Sequence, residues 1–121
     1  MDGHLFAGLP VSDFERAVGW YTSLYGVAET FRPHDTEYVW TLAEDRSVYV
    51  LRKPGSAGHG MVTVVLDDLD RFVAGAASRG VEPAEEQTYE GGVRKVIYRD
   101  PDGNELGFGG MPTEPDGGTD E

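Results

Sequence analysis

The sequence predicts an α+β fold in which two tandem βαβββ modules form a cupped, mixed β-sheet. One observation is an internal repeat, because residues 4–27 align with residues 59–81 and pair Asp13 with Asp68. A second is that each copy begins with a short apolar run suited to a strand and continues with apolar residues at helical spacing. A third is that short extended segments follow each helix. Since each copy has only about 55 residues, we expect the halves to share a surface and to hold a ligand between them.

The first copy contains a strand, a helix and three further strands. Residues 4–11, HLFAGLPV, suit the first strand, and Ser12 with Glu15 three residues later has the pattern of a capping box that begins a helix. Apolar side chains three and four residues apart continue this helix, which is expected to end at Gly26. The three strands that follow are predicted at about residues 28–31, 38–43 and 48–52.

The second copy repeats this order. Residues 61–66 suit a strand, and a helix is expected to begin at Asp68 and to end at Gly80. Later strands are indicated less clearly at residues 83–88, and clearly at residues 93–99 and 105–108.

These elements predict a single domain over residues 1–110. The first module covers about residues 4–53 and the second about residues 59–110, and the composition of residues 53–58, KPGSAG, is typical of a linker. Residues 111–121 are rich in proline, glycine and acidic side chains, which predicts a disordered acidic tail.

Composition narrows the classes of partner. No apolar run in the 121 residues is long enough to cross a membrane, and the first residues lack the pattern of a secretory signal. The sequence has no cysteine, so a cytoplasmic location is expected. The absence of cysteine also excludes a disulfide, a thiolate nucleophile and a metal ion bound by thiolates. A formal net charge of −12 argues against nucleic acid as a partner and favours neutral or cationic molecules.

Three sequence segments together resemble one known family. They are PVSDFERAVGWYTSLYG, VVLDDLDRFVAGAASRG and DPDGNELGF, the last of which begins with the residues of a type I turn. In a paired βαβββ arrangement they resemble the vicinal oxygen chelate superfamily, which contains glyoxalases, extradiol dioxygenases and bleomycin resistance proteins. The resemblance covers about residues 4–110 and implies the glyoxalase/bleomycin resistance fold. It also implies a homodimer, because small members usually complete their clefts by pairing two chains.

The resemblance also indicates where a metal ion would be bound. Metal-dependent members take one ligand from the first strand and one from the last strand of each module. In this sequence those four positions are Phe6, Val50, Met61 and Gly107. Divalent cations of this class prefer imidazole or carboxylate ligands, so the sequence predicts no metal and no other cofactor at the standard positions.

An alternative metal site lies one pleat away. His4 and His59 stand two residues before Phe6 and Met61. Glu105 likewise stands two residues before Gly107. Because residues two apart in a strand point to the same face, these three side chains are expected on the face of the standard metal positions. Such a set would support a metal-dependent lyase, isomerase or dioxygenase.

The leading hypothesis is a metal-free protein that binds a small aromatic and possibly cationic molecule, such as an antibiotic or other secondary metabolite. Strand alternation is expected to place the ligand-binding residues on the concave face of the cup. They are Phe6, Val48, Val50, Met61, Thr63 and Gly107, with Tyr38 and Trp40 as stacking surfaces and Arg94 as a polar anchor. This hypothesis assigns no catalytic residue. Metal-free acid–base catalysis in the same cup and a structural role without a ligand are further alternatives.

Overall fold

The computed structural model describes residues 1–27 and 29–111. Of the tail predicted for residues 111–121, all but Met111 lies outside the described residues. The elements follow the chain as β1 Leu5–Val11, α1 Phe14–Tyr25, β2 Thr30–His34, β3 Glu37–Ala43, β4 Arg46–Arg52, β5 Met61–Val65, α2 Leu69–Ser78, β6 Glu85–Thr88, β7 Arg94–Arg99 and β8 Glu105–Gly110. Short 3₁₀ turns occupy Pro54–Ser56 and Glu90–Gly92.

The strands form two four-stranded sheets with the same topology. Their strand orders are β1-β4-β3-β2 and β5-β8-β7-β6. In each sheet the first strand of the module runs parallel to the last, and the other neighbours are antiparallel. The predicted α+β class and the tandem βαβββ modules are therefore confirmed, although the strands belong to two mixed sheets rather than one.

Equivalent aspartates begin the two helices. The Asp13 carboxylate accepts a hydrogen bond from the backbone N–H of Arg16 at 3.1 Å, and the Asp68 carboxylate accepts one from Arg71 at 3.0 Å. Each thereby satisfies one N–H group that has no partner within the helix. The predicted capping box of Ser12 is wrong, because the helix begins one residue later and Ser12 instead bonds to Asp102.

Both modules contribute to the hydrophobic core. Side chains from the inner faces of α1 and α2 pack against the helix-facing sides of both sheets and join a single cluster of buried residues. Tyr25 of α1 contacts Phe108 of β8 with ring centroids 6.5 Å apart, and Phe72 of α2 lies 4.3 Å from the same ring. Because the halves share this core, neither buries its helix alone.

A buried hydrogen-bond network connects the turn between β7 and β8 to the first module. Asp100 is almost fully buried, and its carboxylate accepts hydrogen bonds from the Tyr21 hydroxyl at 2.7 Å and from the Asn104 amide at 2.8 Å. The Asn104 amide also donates to the carbonyl of Pro10 at 2.7 Å, and its oxygen accepts from the N–H of Gly60. Burial and the adjacent Asp100 charge raise the pKa of Tyr21 well above its usual range.

We predict that Tyr21→Phe lowers the free energy of unfolding by about 1.5–3 kcal/mol, because it removes a donor from a buried carboxylate. Urea denaturation measures this loss. Tyr25→Phe is the matched control, since Tyr25 lies one helical turn away and its hydroxyl is buried without a hydrogen-bond partner among the described residues. This control is expected to change stability by about 0.5 kcal/mol or less, or to increase it. Equal losses in both variants would contradict the role given to the Asp100 network.

Candidate functional site

Within residues 1–27 and 29–111, no element packs against the face of either sheet that is turned away from the helices. Directly paired residues on neighbouring strands point to the same side of a sheet, so the register assigns these faces. The first open face carries Phe6, Phe31, Val39, Thr41, Ser47 and Tyr49. The second open face carries Met61, Thr63, Val65, Lys95, Ile97 and Gly107, and the polar side chains of Glu85, Gln87, Arg99 and Glu105 lie on the same side.

Large apolar side chains are exposed on both open faces. Phe6 and Phe31 are each 49% exposed, and Met61 and Val65 are 69% and 76% exposed. Exposed apolar side chains grouped in this way are typical of binding surfaces. The two open faces are therefore the candidate functional site.

Four of the predicted ligand-binding residues lie on these faces. Phe6 belongs to the first, and Met61, Thr63 and Gly107 belong to the second. Their role in ligand binding stays a prediction.

Four other residues point the opposite way from the predicted orientation. They lie on the helix-facing side of the first sheet and are Tyr38, Trp40, Val48 and Val50. Trp40 is fully buried, and its indole N–H donates to Thr22 of α1 at 3.3 Å. Because β3 and β4 carry apolar or aromatic side chains on both faces, alternation alone could not decide which set faces the core.

Arg94 does not face the candidate site either. Its guanidinium bonds to Asp70 of α2 and, at 2.8 Å, to Glu86 of β6, so it lies on the helix-facing side of the second sheet. Hydrogen bonds to Asp70 and Glu86 raise the pKa of Arg94 above its ordinary value. Its charge is neutralised within the chain, which removes it as an anchor for a ligand.

Tyr49 is one of the site residues that sequence reasoning missed, together with Phe31 and Lys95. The Tyr49 ring lies across β1 above Gly8, where an added Cβ would fall 2.8 Å from Tyr49 Cε2. Only a residue without a side chain leaves room for the ring in this place. A glycine inside an apolar strand often marks such a close approach, and Gly8 was the available signal.

Two adjoining hollows on the first open face share Phe6 and Phe31. The first has a volume of about 350 Å³ and is lined also by Pro33, Glu37, Val39 and Tyr49. The other has a volume of about 610 Å³ and carries the polar groups of His4, Thr41, Ser47 and two glutamates. Apolar walls with a few polar groups at one end are typical of small-molecule sites of this size.

The predicted cleft between the halves also exists, on the helix side. It has a volume of about 290 Å³, and Tyr25, Phe72 and Phe108 form its aromatic wall. Burial raises the pKa of Tyr25 well above its usual range. The walls of this cleft belong mainly to the core, whereas the exposed apolar side chains lie on the open faces.

The alternative metal ligands are not brought together within one chain. His4 Nε2 lies 2.7 Å from Ser47 Oγ and its ring stacks on Phe6, whereas Glu105 lies 3.5 Å from an Arg99 nitrogen. His59 is exposed in the loop before β5. Among residues 1–27 and 29–111, no group of three histidine, aspartate or glutamate side chains is placed to hold a metal ion.

The standard metal positions do not fit a divalent cation either. Equivalent register in the two sheets makes Tyr49, rather than Val50, the counterpart of Gly107. The corrected set is Phe6, Tyr49, Met61 and Gly107. None of these side chains supplies an imidazole or a carboxylate, so the residues present do not match the donors that such an ion requires.

The family model for the Glyoxalase/Bleomycin resistance protein/Dioxygenase superfamily matches residues 3–108. The chain belongs to this superfamily. No curated protein is significantly similar to it. Within the part of the chain that the structure describes, no helix is long and apolar enough to span a membrane.

Solved structures from this superfamily have the same fold. A glyoxalase/bleomycin resistance protein from Catenulispora acidiphila DSM 44928 is 51% identical, with a TM-score of 0.88 over 92% of this chain and 100% of the other. The bleomycin resistance determinant encoded on transposon Tn5 is 19% identical, with a TM-score of 0.73 over 93% and 100% of the two chains. TnmS3, an antibiotic-binding protein from Streptomyces sp. CB03234, is 24% identical, with a TM-score of 0.69 over 93% and 98%.

We predict that Trp40→Ala lowers the free energy of unfolding by about 3–5 kcal/mol, because it leaves a cavity in the core. Tyr49→Ala is the control and should cost less, since the Tyr49 ring is only partly buried on an open face. Urea denaturation of both variants makes the comparison. A Trp40→Ala protein with nearly unchanged stability would show that Trp40 is not a core residue.

Proposed function

We propose that this chain is a metal-free binding protein that captures a small aromatic molecule, such as an antibiotic or other secondary metabolite, on its open faces. One observation carries the proposal. The positions where metal-dependent relatives would bind an ion hold Phe6, Tyr49, Met61 and Gly107, and the first two line an aromatic hollow. Such a surface suits stacking and shape recognition rather than polarisation of a substrate by a metal.

The energetics of such a surface are sufficient for useful affinity. Burial of apolar surface contributes about 25 cal/mol per Å², and a favourable aromatic pair adds about 0.5–1.5 kcal/mol. A ligand that buries about 500 Å² of apolar surface gains about 12 kcal/mol, so micromolar affinity, which corresponds to about 8 kcal/mol, is reached when the cost of association is about 4 kcal/mol.

The nature of two relatives supports the ligand class. One is described as an antibiotic-binding protein and another as a bleomycin resistance determinant, and both have the fold of this chain. At this low sequence identity the comparison supports a shared fold, and it does not say which ligand this chain would bind. The aromatic hollow of this chain is the feature that would select the molecule.

The proposal includes a homodimer. In one chain the open faces belong to different sheets, which bury their opposite sides in the shared core. We infer that the first open face of one protomer meets the second open face of its partner. A two-fold axis would then create two identical sites, each enclosed by both chains.

The ligand can be found by thermal shift with a panel of aromatic natural products, because a molecule that binds only the folded state raises the melting temperature. Isothermal titration then measures its affinity. We expect Tyr49→Ala and Phe6→Ala each to weaken binding by about 1–3 kcal/mol. Lys53→Ala, in the exposed linker, is the control and should leave affinity unchanged.

Metal analysis of the same preparation separates the proposal from its alternative. We expect less than stoichiometric zinc, nickel, manganese or iron, and an affinity that is insensitive to a chelator. Stoichiometric metal, or binding that is lost with chelation, would favour a metal-dependent enzyme instead. Recovery of a chemically altered ligand would also replace the binding-only proposal.

We predict that the protein sediments with twice the mass of one chain and that Met61→Glu with Val65→Glu shifts it to a monomer, since burial of carboxylates in an apolar interface is costly. Ala74→Glu, at an exposed position of α2, is the matched control. Sedimentation velocity measures all three proteins. A monomeric wild type, or a dimer unaffected by the double substitution, would refute this arrangement.

A further inference from the structure

Lys95 lies flat across the second open face. A Cβ built on Gly107 would fall 2.7 Å from Lys95 Cε, 3.5 Å from Lys95 Nζ and 3.3 Å from Thr63 Oγ1. The stem of the lysine therefore occupies the space that a side chain at position 107 would fill. Its ammonium group is held close to the position where metal-dependent relatives carry a ligand for the ion.

The charge of Lys95 is not neutralised by the residues around it. Within residues 1–27 and 29–111, the structure gives Lys95 no ion pair and no hydrogen bond, and its side chain is half-buried. The other cations of β7 differ in this respect. Arg94 is paired with Asp70 and Glu86, and Arg99 is paired with Glu85 at 2.6 Å.

Among the described residues, the charged side chains that share this face with Lys95 are Glu85, Arg99 and Glu105, and Arg99 pairs with both glutamates. The ammonium group of Lys95 is therefore the unpaired charge suited to an anionic ligand group. Its stem lies against Gly107, and a lysine stem packed in this way keeps its ammonium group toward water, where a ligand can reach it. Thr63 adds a hydroxyl beside it that can donate a hydrogen bond. A carboxylate, sulfonate or phenolate could accept charge-assisted hydrogen bonds from the lysine.

We propose that Lys95 is the anchor for an anionic oxygen group of the ligand, so that this site takes aromatic acids rather than aromatic cations. The inference rests on the proposed function and on its dimer. In that dimer the acid group contacts Lys95 of one protomer while the aromatic part stacks on Phe6 and Tyr49 of its partner. The local charge at Lys95, and not the net charge of −12, then decides the sign of the preferred ligand.

Two fluorescent probes of similar shape test this inference. Anilinonaphthalene sulfonate carries an anionic group, and phenylnaphthylamine has the same aromatic framework without it. We expect saturable binding of both to the wild type. Lys95→Met keeps an apolar stem and removes the charge, so it should weaken sulfonate binding by about tenfold or more and phenylnaphthylamine binding by less than about twofold.

The chain offers matched controls. Lys53 is the other lysine of the sequence, and Lys53→Met should leave both affinities unchanged. Lys95→Arg keeps the positive charge and should retain most of the sulfonate affinity. Gly107→Ala places a methyl group against the Lys95 stem and should cause a smaller, selective loss of the sulfonate probe.

Co-expression of Lys95→Met and Tyr49→Ala chains tests whether the two residues line one site from different protomers. A mixed dimer would contain one intact site and one site with both defects, so about one quarter of all sites should regain high affinity for the sulfonate probe. Each variant expressed alone should have no such sites.

Four results would overturn the inference. If Lys95→Met lowers the affinity for both probes equally, Lys95 contributes packing and not charge. If Lys53→Met and Lys95→Met lower the sulfonate affinity equally, the effect comes from the net charge of the protein. If co-expression restores no high-affinity sites, Lys95 of one protomer and Tyr49 of its partner do not line the same site. If neither probe binds the wild type saturably, the proposed function itself fails and this inference fails with it.

Discussion

A module of about 50 residues is too small to bury both faces of a four-stranded sheet, and this limit shapes the whole molecule. Each helix covers one face of its own sheet, and the two covered faces share a core that includes Tyr25, Trp40 and Phe108. The rest of the chain described by the structure then leaves the opposite face of each sheet open. The exposed aromatic and aliphatic side chains there, and the proposed pairing of two chains, follow from this division.

The relative orientation of the two sheets depends on a turn that would normally be solvated. Asp100 and Asn104 of this turn are instead buried. Asp100 bonds to Tyr21, and Asn104 bonds to Pro10 and Gly60. A buried carboxylate is tolerable when donors surround it, and here backbone and side-chain groups supply them. The network therefore sets the direction in which both open faces point.

The sequence was sufficient for the module order, the helices and the family, because the repeat and the helical spacing are local signals. Helix α1 shows the limit of such signals, since Ser12 and Asp13 are both good caps and only the tertiary bond from Ser12 to Asp102 separates them. Alternation did not decide the face of Trp40, because the opposite face of β3 also carries a large apolar residue, Val39, which is buried as well. Gly8 signals that some group approaches β1 closely, but identifying that group as Tyr49 required the register between β1 and β4.

The two open faces share one structural feature although their side chains differ: a glycine in one strand leaves room for a long side chain from another strand. Gly8 leaves room for Tyr49 on the first face, and Gly107 leaves room for Lys95 on the second. In each case one long side chain from a neighbouring strand forms the contour of the surface while the core beneath is unaffected. A single exchange of Tyr49 or Lys95 would thus alter molecular selectivity at a smaller cost in stability than an exchange in the core, which gives a duplicated scaffold a way to diversify its ligands during evolution.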